Sequence, residues 1–160
     1  AANAICGQLG GTQAARGAWT RGACLPGGDL SAWIRVRGRP DEDFAAFVLA
    51  VRARHPWLPG PLAHRLARAH GSRIELLLGQ ARCLADLGQE VVPGVFEAEL
   101  RHLQRSEWAC SADDVLWRRS KLGLHLSEAQ REAVAWWMRA HPANALPTPT
   151  FIDHTEELRA

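Results

Sequence analysis

From Pro40 to His141 the apolar positions recur with the period of a helix. Phe44, Phe47, Val48 and Val51 fall at i, i+3, i+4 and i+7 and make one apolar stripe. Asp41, Glu42 and Asp43 precede the stripe, and Arg52, Arg54 and His55 follow it. Charges so placed oppose the helix dipole at both ends, and Pro56 closes the element. Pro61 suits the first turn of a second helix, with Leu62, Leu66 and Ala69 inward and Gly71 as a left-handed cap. Ile74, Leu77, Leu78, Ala81 and Leu84 predict a third helix that stops at Gly88. Phe96, Leu100 and Leu103 form a fourth stripe opposite Glu97, Arg101 and Gln104. Ser111 with Asp114, and Ser127 with Gln130, have the spacing of capping boxes. They open a fifth helix ending at Gly123 and a sixth running through Val134, Trp137 and Met138 to Pro142. No period-two stretch long enough for a sheet competes with these six. The pattern therefore predicts an all-α domain, an orthogonal bundle of about six helices over residues 40–141.

The ends read differently. Residues 1–39 hold eight glycines, from Gly7 to Gly38, with Pro26 and no sustained period, as expected of a linker or extended arm. Trp19 and Trp33 suggest that parts of this arm lie against a surface. Residues 142–160, with Pro147 and Pro149 before a polar stretch, read as a flexible tail.

Composition narrows the function classes. A chain of 160 residues suits one domain and needs neither metal nor disulfide to fold. The formal net charge of +2 is too small to argue for nucleic acid or an acidic membrane by itself. Lys121 is the sole lysine, so 18 of the 19 Lys and Arg residues are arginine. That bias fits planar recognition of carboxylate or phosphate, but a GC-rich coding genome explains it more simply. Cys6, Cys24, Cys83 and Cys110 are scattered without a C-x-x-C pair, as expected of reduced thiols in a cytoplasmic protein. Neither a membrane span nor a signal peptide is visible in the sequence.

Candidate chemistry is sparse. Glu99 and His102 stand at i, i+3, the E-x-x-H spacing of helix-borne di-iron ligands. No second copy accompanies them, and a solvated helix face is the expectation. Gly7, Gly10 and Gly11 do not form a phosphate-cradling loop, and Pro26-Gly27-Gly28-Asp29 is turn chemistry. His64, His70, His125, His141 and His154 keep no fixed spacing to cysteines or acids. The densest constellation is Asp113, Asp114, Trp117, Arg118, Arg119 and Lys121, acids in a first turn and bases in a last. It is either a well-charged surface helix or a docking face, since arginine and tryptophan favour interface centres.

Three stretches then stand out together: Val95-Phe96-Glu97-Ala98-Glu99-Leu100-Arg101, Glu107-Trp108, and Ala112 through Leu124. Upstream, Trp19-Thr20, Leu25-Pro26-Gly27-Gly28, His55-Pro56-Trp57-Leu58, Leu62 through Ser72 and Glu75 through Gly79 follow in order. Over roughly residues 19–138 this series closely resembles the C-terminal domain of the FAD-dependent, quinone-linked glycerol-3-phosphate dehydrogenases. The resemblance implies a helical domain that packs on the FAD-binding domain of the same polypeptide. In the full-length form that polypeptide oxidises glycerol 3-phosphate to dihydroxyacetone phosphate and passes electrons to quinone. It would sit peripherally at the inner face of the bacterial membrane, and a homodimer is compatible with it. The chain itself is expected to hold no cofactor, no metal and no catalytic residue, because no dinucleotide fingerprint occurs in it. Under the resemblance Asp114, Trp117, Arg118, Arg119 and Lys121 become a candidate interdomain or substrate-proximal face. The alternative is a free-standing helical interaction module that binds nucleic acid through its arginines.

Overall fold

The computed structural model describes residues 2–9 and 22–143. Trp19 and the tail beyond residue 143 therefore lie outside the described residues. The all-α reading holds, with one short hairpin added. Helix α1 (Ala2–Leu9) lies within the Gly/Pro-rich stretch, where the pattern had predicted no helix. Helix α2 (Pro40–Arg54) begins and ends where its charges and Pro56 require. Phe47 and Val51 of its stripe are fully buried, and Phe44 and Val48 pack beside them. Asp43 does more than oppose a dipole. Its buried carboxylate accepts N–H bonds from Arg37, Gly38 and Arg39, so it fastens the preceding loop to the helix start.

Helix α3 (Gly60–His70) ends at Gly71, as its sequence predicts, with a φ of 55°. The third predicted helix is a correction. Helix α4 (Ile74–Leu78) stops after five residues because Gly79 turns left-handed at φ 51°. The chain re-forms a 3-10 turn only at Leu84–Leu87, where Asp86 accepts the N–H groups of Arg82 and Cys83. A second correction follows. Strands β1 (Glu90–Val92) and β2 (Val95–Phe96) pair antiparallel around Pro93-Gly94. Gly94 supplies the positive φ of 76°, and Glu90 Oε1 accepts its N–H at 2.7 Å. Three valines around a Pro-Gly turn favour this extended pairing over a helix start. Phe96 thus belongs to a strand and immediately precedes helix α5 (Glu97–Glu107).

The fifth predicted helix is a π-helical segment, Asp114–Arg119, in which the Ser120 N–H bonds Val115 O, five residues back. It ends at Ser120 rather than Gly123, because the Ser120 hydroxyl also donates to the Val115 carbonyl. Helix α6 (Glu128–Ala140) carries the expected capping box, Gln130 N–H to Ser127 Oγ and Ser127 N–H to Gln130 Oε1.

These elements enclose two apolar clusters. One joins α2, α3 and α4 around Phe47, Leu66 and Ile74, with Leu30, Trp33 and Ile34 of the Gly/Pro-rich stretch packed against it. Trp33 meets Phe47 edge to face at 5.3 Å, and the Arg54 guanidinium lies 4.0 Å from the Trp33 ring centre. The other cluster joins α5, the π-turn and α6 around Leu100, Val115 and Trp137. Ala98 of α5 touches the first cluster and Leu100 belongs to the second, so α5 serves both.

The Gly/Pro-rich stretch is anchored backbone to backbone. Ser72 N–H donates to Gly27 O at 3.0 Å, and a Cβ on Gly71 would lie 2.0 Å from that oxygen. Gly71→Ala is therefore expected to cost about 3–5 kcal/mol, through overpacking added to left-handed strain. Gly38→Ala has the same kind of φ, 77°, but open space, and is expected to cost about 1–2 kcal/mol. Urea unfolding midpoints check the ordering, and equal costs would refute the close contact.

Candidate functional site

Two groups of polar side chains compete for function, one on the surface and one buried. The surface group is the Asp114–Lys121 constellation. The π-turn sorts its members. Asp114 Oδ2 accepts from the N–H groups of Cys110 and Ser111 and from the Ser111 hydroxyl, while Oδ1 takes Arg118 Nη1 at 2.6 Å. Arg118 first, then Ser111 and Cys110, hold the Asp114 carboxyl well below the usual carboxylate range. Asp114 is thus a helix-start device and the partner of Arg118. Lys121 donates from Nζ to the Trp117 carbonyl, capping the turn. Trp117 is half-buried against the second cluster. Its ring lies over Gly123, where a Cβ would fall 2.5 Å from the ring. That leaves Arg119, exposed and with no acid bonded to it among the described residues. The sequence groups these five residues, and their contacts separate the anchored members from Arg119.

The buried group corrects the solvated-face expectation for Glu99 and His102. Both side chains are buried, on the same face of α5 as Leu100 and Leu103. Glu99 is gripped by Arg65 of α3, Nη1 to Oε1 and Nη2 to Oε2 each at 2.7 Å, a bidentate pair. Arg65 Nη2 also donates to the Gly94 carbonyl at the hairpin tip. His70, the last residue of α3, places Nε2 3.4 Å from Glu99 Oε1. Burial pushes the Glu99 carboxyl up, but the Arg65 and His70 contacts outweigh it and hold the group ionised. His102 packs edge-on to His70 with ring centres 5.1 Å apart. Burial first, and then the proximity of His70 and Arg73, lower its pKa from 6.5 to about 4.

Arg65 and His70 gave no periodic signal that could mark them. Only the pairing of α3 with α5 brings them to Glu99. Among the described residues, the donor atoms closest to a metal-ligating arrangement belong to His70, His102 and Glu107.

Removing one partner of a buried ion pair strands the other. Arg65→Ala is expected to lower stability by about 3–5 kcal/mol, against under 1 kcal/mol for Arg139→Ala, whose exposed pair with Glu132 is screened. Chemical denaturation of both variants checks this. The His102 ring also makes stability pH-dependent. The unfolded chain takes up that proton near pH 6.5, whereas the folded chain refuses it until about pH 4. Stability therefore falls as the pH drops from 6.5 towards 4, by on the order of 2 kcal/mol. Unfolding curves at intervals across that window, with a chelator present, check it, and His102→Gln should flatten the slope.

Comparison with known proteins places these features in a family setting. A family model described as the C-terminal domain of alpha-glycerophosphate oxidase matches residues 19–140. The chain is 42% identical over 121 residues to the aerobic glycerol-3-phosphate dehydrogenase of Escherichia coli (strain K12), covering 76% of this chain and 22% of that protein. It is 37% identical over 121 residues to the D-erythritol 1-phosphate dehydrogenase of Brucella abortus (strain 2308), with the same coverage, 76% and 22%. The glycerol-3-phosphate dehydrogenase of Pseudomonas aeruginosa is 37% identical over 126 residues, 78% of this chain and 23% of that protein. The chain spans about a fifth of the length of these relatives.

Proposed function

The chain belongs to the family of the C-terminal domain of alpha-glycerophosphate oxidase, and from that premise we propose that it is the docking and stabilising domain of a flavoenzyme. The full-length enzyme in this reading binds FAD in a separate domain of the same polypeptide. It oxidises glycerol 3-phosphate to dihydroxyacetone phosphate and delivers the electrons to quinone at the inner face of the bacterial membrane. The family match over residues 19–140 is the observation that carries the reading. No helix among the described residues is long and apolar enough to cross a membrane.

The surface supports docking in a second way. Trp108 and Trp136 are exposed at 77% and 61%. Trp108 caps α5 in the left-handed region at φ 56°, where a bulky side chain is strained. An exposed tryptophan held in a strained conformation is better explained by a partner surface than by the stability of this domain alone. The candidate face proposed for contact with that partner or its substrate comprises Asp114, Trp117, Arg118, Arg119 and Lys121. Within it Arg119 is the arginine with no acidic partner among the described residues, and a planar guanidinium binds phosphate through paired N–H groups.

The nucleic-acid alternative finds no support. Arg39, Arg54, Arg65, Arg101, Arg118 and Arg139 each pair with an aspartate or glutamate, which breaks up any basic stripe they would form.

In the full-length enzyme, Arg119→Ala is expected to lower kcat/KM for glycerol 3-phosphate by roughly tenfold, the loss of one charge-assisted contact. Arg118→Ala should fall between that and Arg139→Ala, which should stay within about twofold of the parent. Steady-state kinetics on purified enzyme decides it, and equal effects from all three would remove the case for this face.

A further inference from the structure

The α3–α5 junction holds more imidazole than docking requires. His70 and His102 are both buried, and each has a buried ring nitrogen with no hydrogen-bond partner among the described residues, Nδ1 in His70 and Nε2 in His102. Leaving such atoms unbonded is costly, and folds generally avoid it. One donor atom from each of His70, His102 and the half-buried Glu107 lies within 4.8 Å of the other two.

The surroundings prepare these donors. Glu99 Oε1, 3.4 Å from His70 Nε2, favours the tautomer with the proton on that nitrogen. The Nδ1 lone pair is then free. A carboxylate placed behind a histidine in this way is the usual means of orienting a metal ligand. Arg65 in turn fixes the carboxylate with two hydrogen bonds. His102 is neutral at neutral pH and so also offers a lone pair.

We propose that His70, His102 and Glu107 form a site for a divalent transition-metal ion, with Zn2+ the ion that the donor set suits. Two imidazoles are the wrong donors for Ca2+ or Mg2+, which take oxygen, and the right ones for zinc. Donors around a tetrahedral zinc stand roughly 3.3 Å apart, so side-chain adjustment alone closes the present cluster onto an ion. Arg73, near enough to act on the charge of His102, opposes a cation there. The Glu107 carboxylate supplies the compensating charge, and its partial exposure leaves a fourth position to water. The ion would tie the last residue of α3 to the final turns of α5.

The test uses the full chain with all four of its cysteines, Cys6, Cys24, Cys83 and Cys110, alkylated so that thiolates cannot compete. Added Co2+ should give the visible d–d absorption of a low-coordinate site. Zn2+ should displace it and raise the unfolding temperature. Glu107→Gln sits at a half-exposed helix end and leaves the Glu99 network untouched, so it should fold normally and weaken Zn2+ binding at least tenfold. His102→Gln should do the same. Zn2+ that fails to shift the unfolding temperature of the parent chain, or that binds both variants as tightly as the parent, overturns the proposal.

Discussion

The arrangement of the helices depends on one buried carboxylate. Glu99 stands on the apolar face of α5, where an unpaired charge would cost several kcal/mol. The pairing that relieves this cost comes from α3, through both guanidinium nitrogens of Arg65. Because that fork is planar and rigid, α3 and α5 are held in one relative register rather than sliding on apolar contact. The same guanidinium reaches the Gly94 carbonyl, so the hairpin tip is placed by the interaction that places the helices. A hydrophobic pair would have contributed comparable stability with less geometric definition.

Around this joint the two apolar clusters play different parts. The first is closed over by residues from the Gly/Pro-rich stretch, where Gly27 and Gly71 let two backbones touch. The second is braced by Gln104, whose amide donates to the His141 carbonyl at 2.7 Å and so ties α5 to the end of α6. Trp137 lies in the same brace, stacked on His141 with ring centres 4.4 Å apart. α5 therefore meets a polar fastening on each side, Arg65 on one and His141 on the other.

Much of the helical scaffold was legible in the sequence. Periodic stripes and caps located α2, α3 and α6 closely, because each has an apolar face and its own terminator. The misses have two causes. Gly79 and Gly94 take left-handed conformations that end one element and turn another, and an apolar stripe such as Ile74 to Leu84 gives no sign of which glycine will do so. The polarity of Glu99 and His102 points to a solvated face, whereas both are buried. Their burial depends on Arg65, 34 residues away, and local spacing carries no trace of a partner at that distance. The constellation from Asp114 to Lys121 was found, since charge density is local, but the π-turn that sorts its members is not a property of composition.

That sorting bears on how this domain, in the docking reading, can serve a reaction carried out elsewhere in the polypeptide. A guanidinium binds more tightly when the backbone that carries it is settled before the ligand arrives. Around Arg119 the settling is done by neighbours that the sequence alone would have ranked as its equals. Asp114 starts the turn and neutralises Arg118, Lys121 closes it, and Trp117 presses on Gly123, where any side chain would displace the ring. In the docking reading, four members of the face give up their own reach so that one cation is presented on a rigid base. The π-turn is the economical way to do it, because six residues suffice to anchor both ends while the helix surface still turns Arg119 outward.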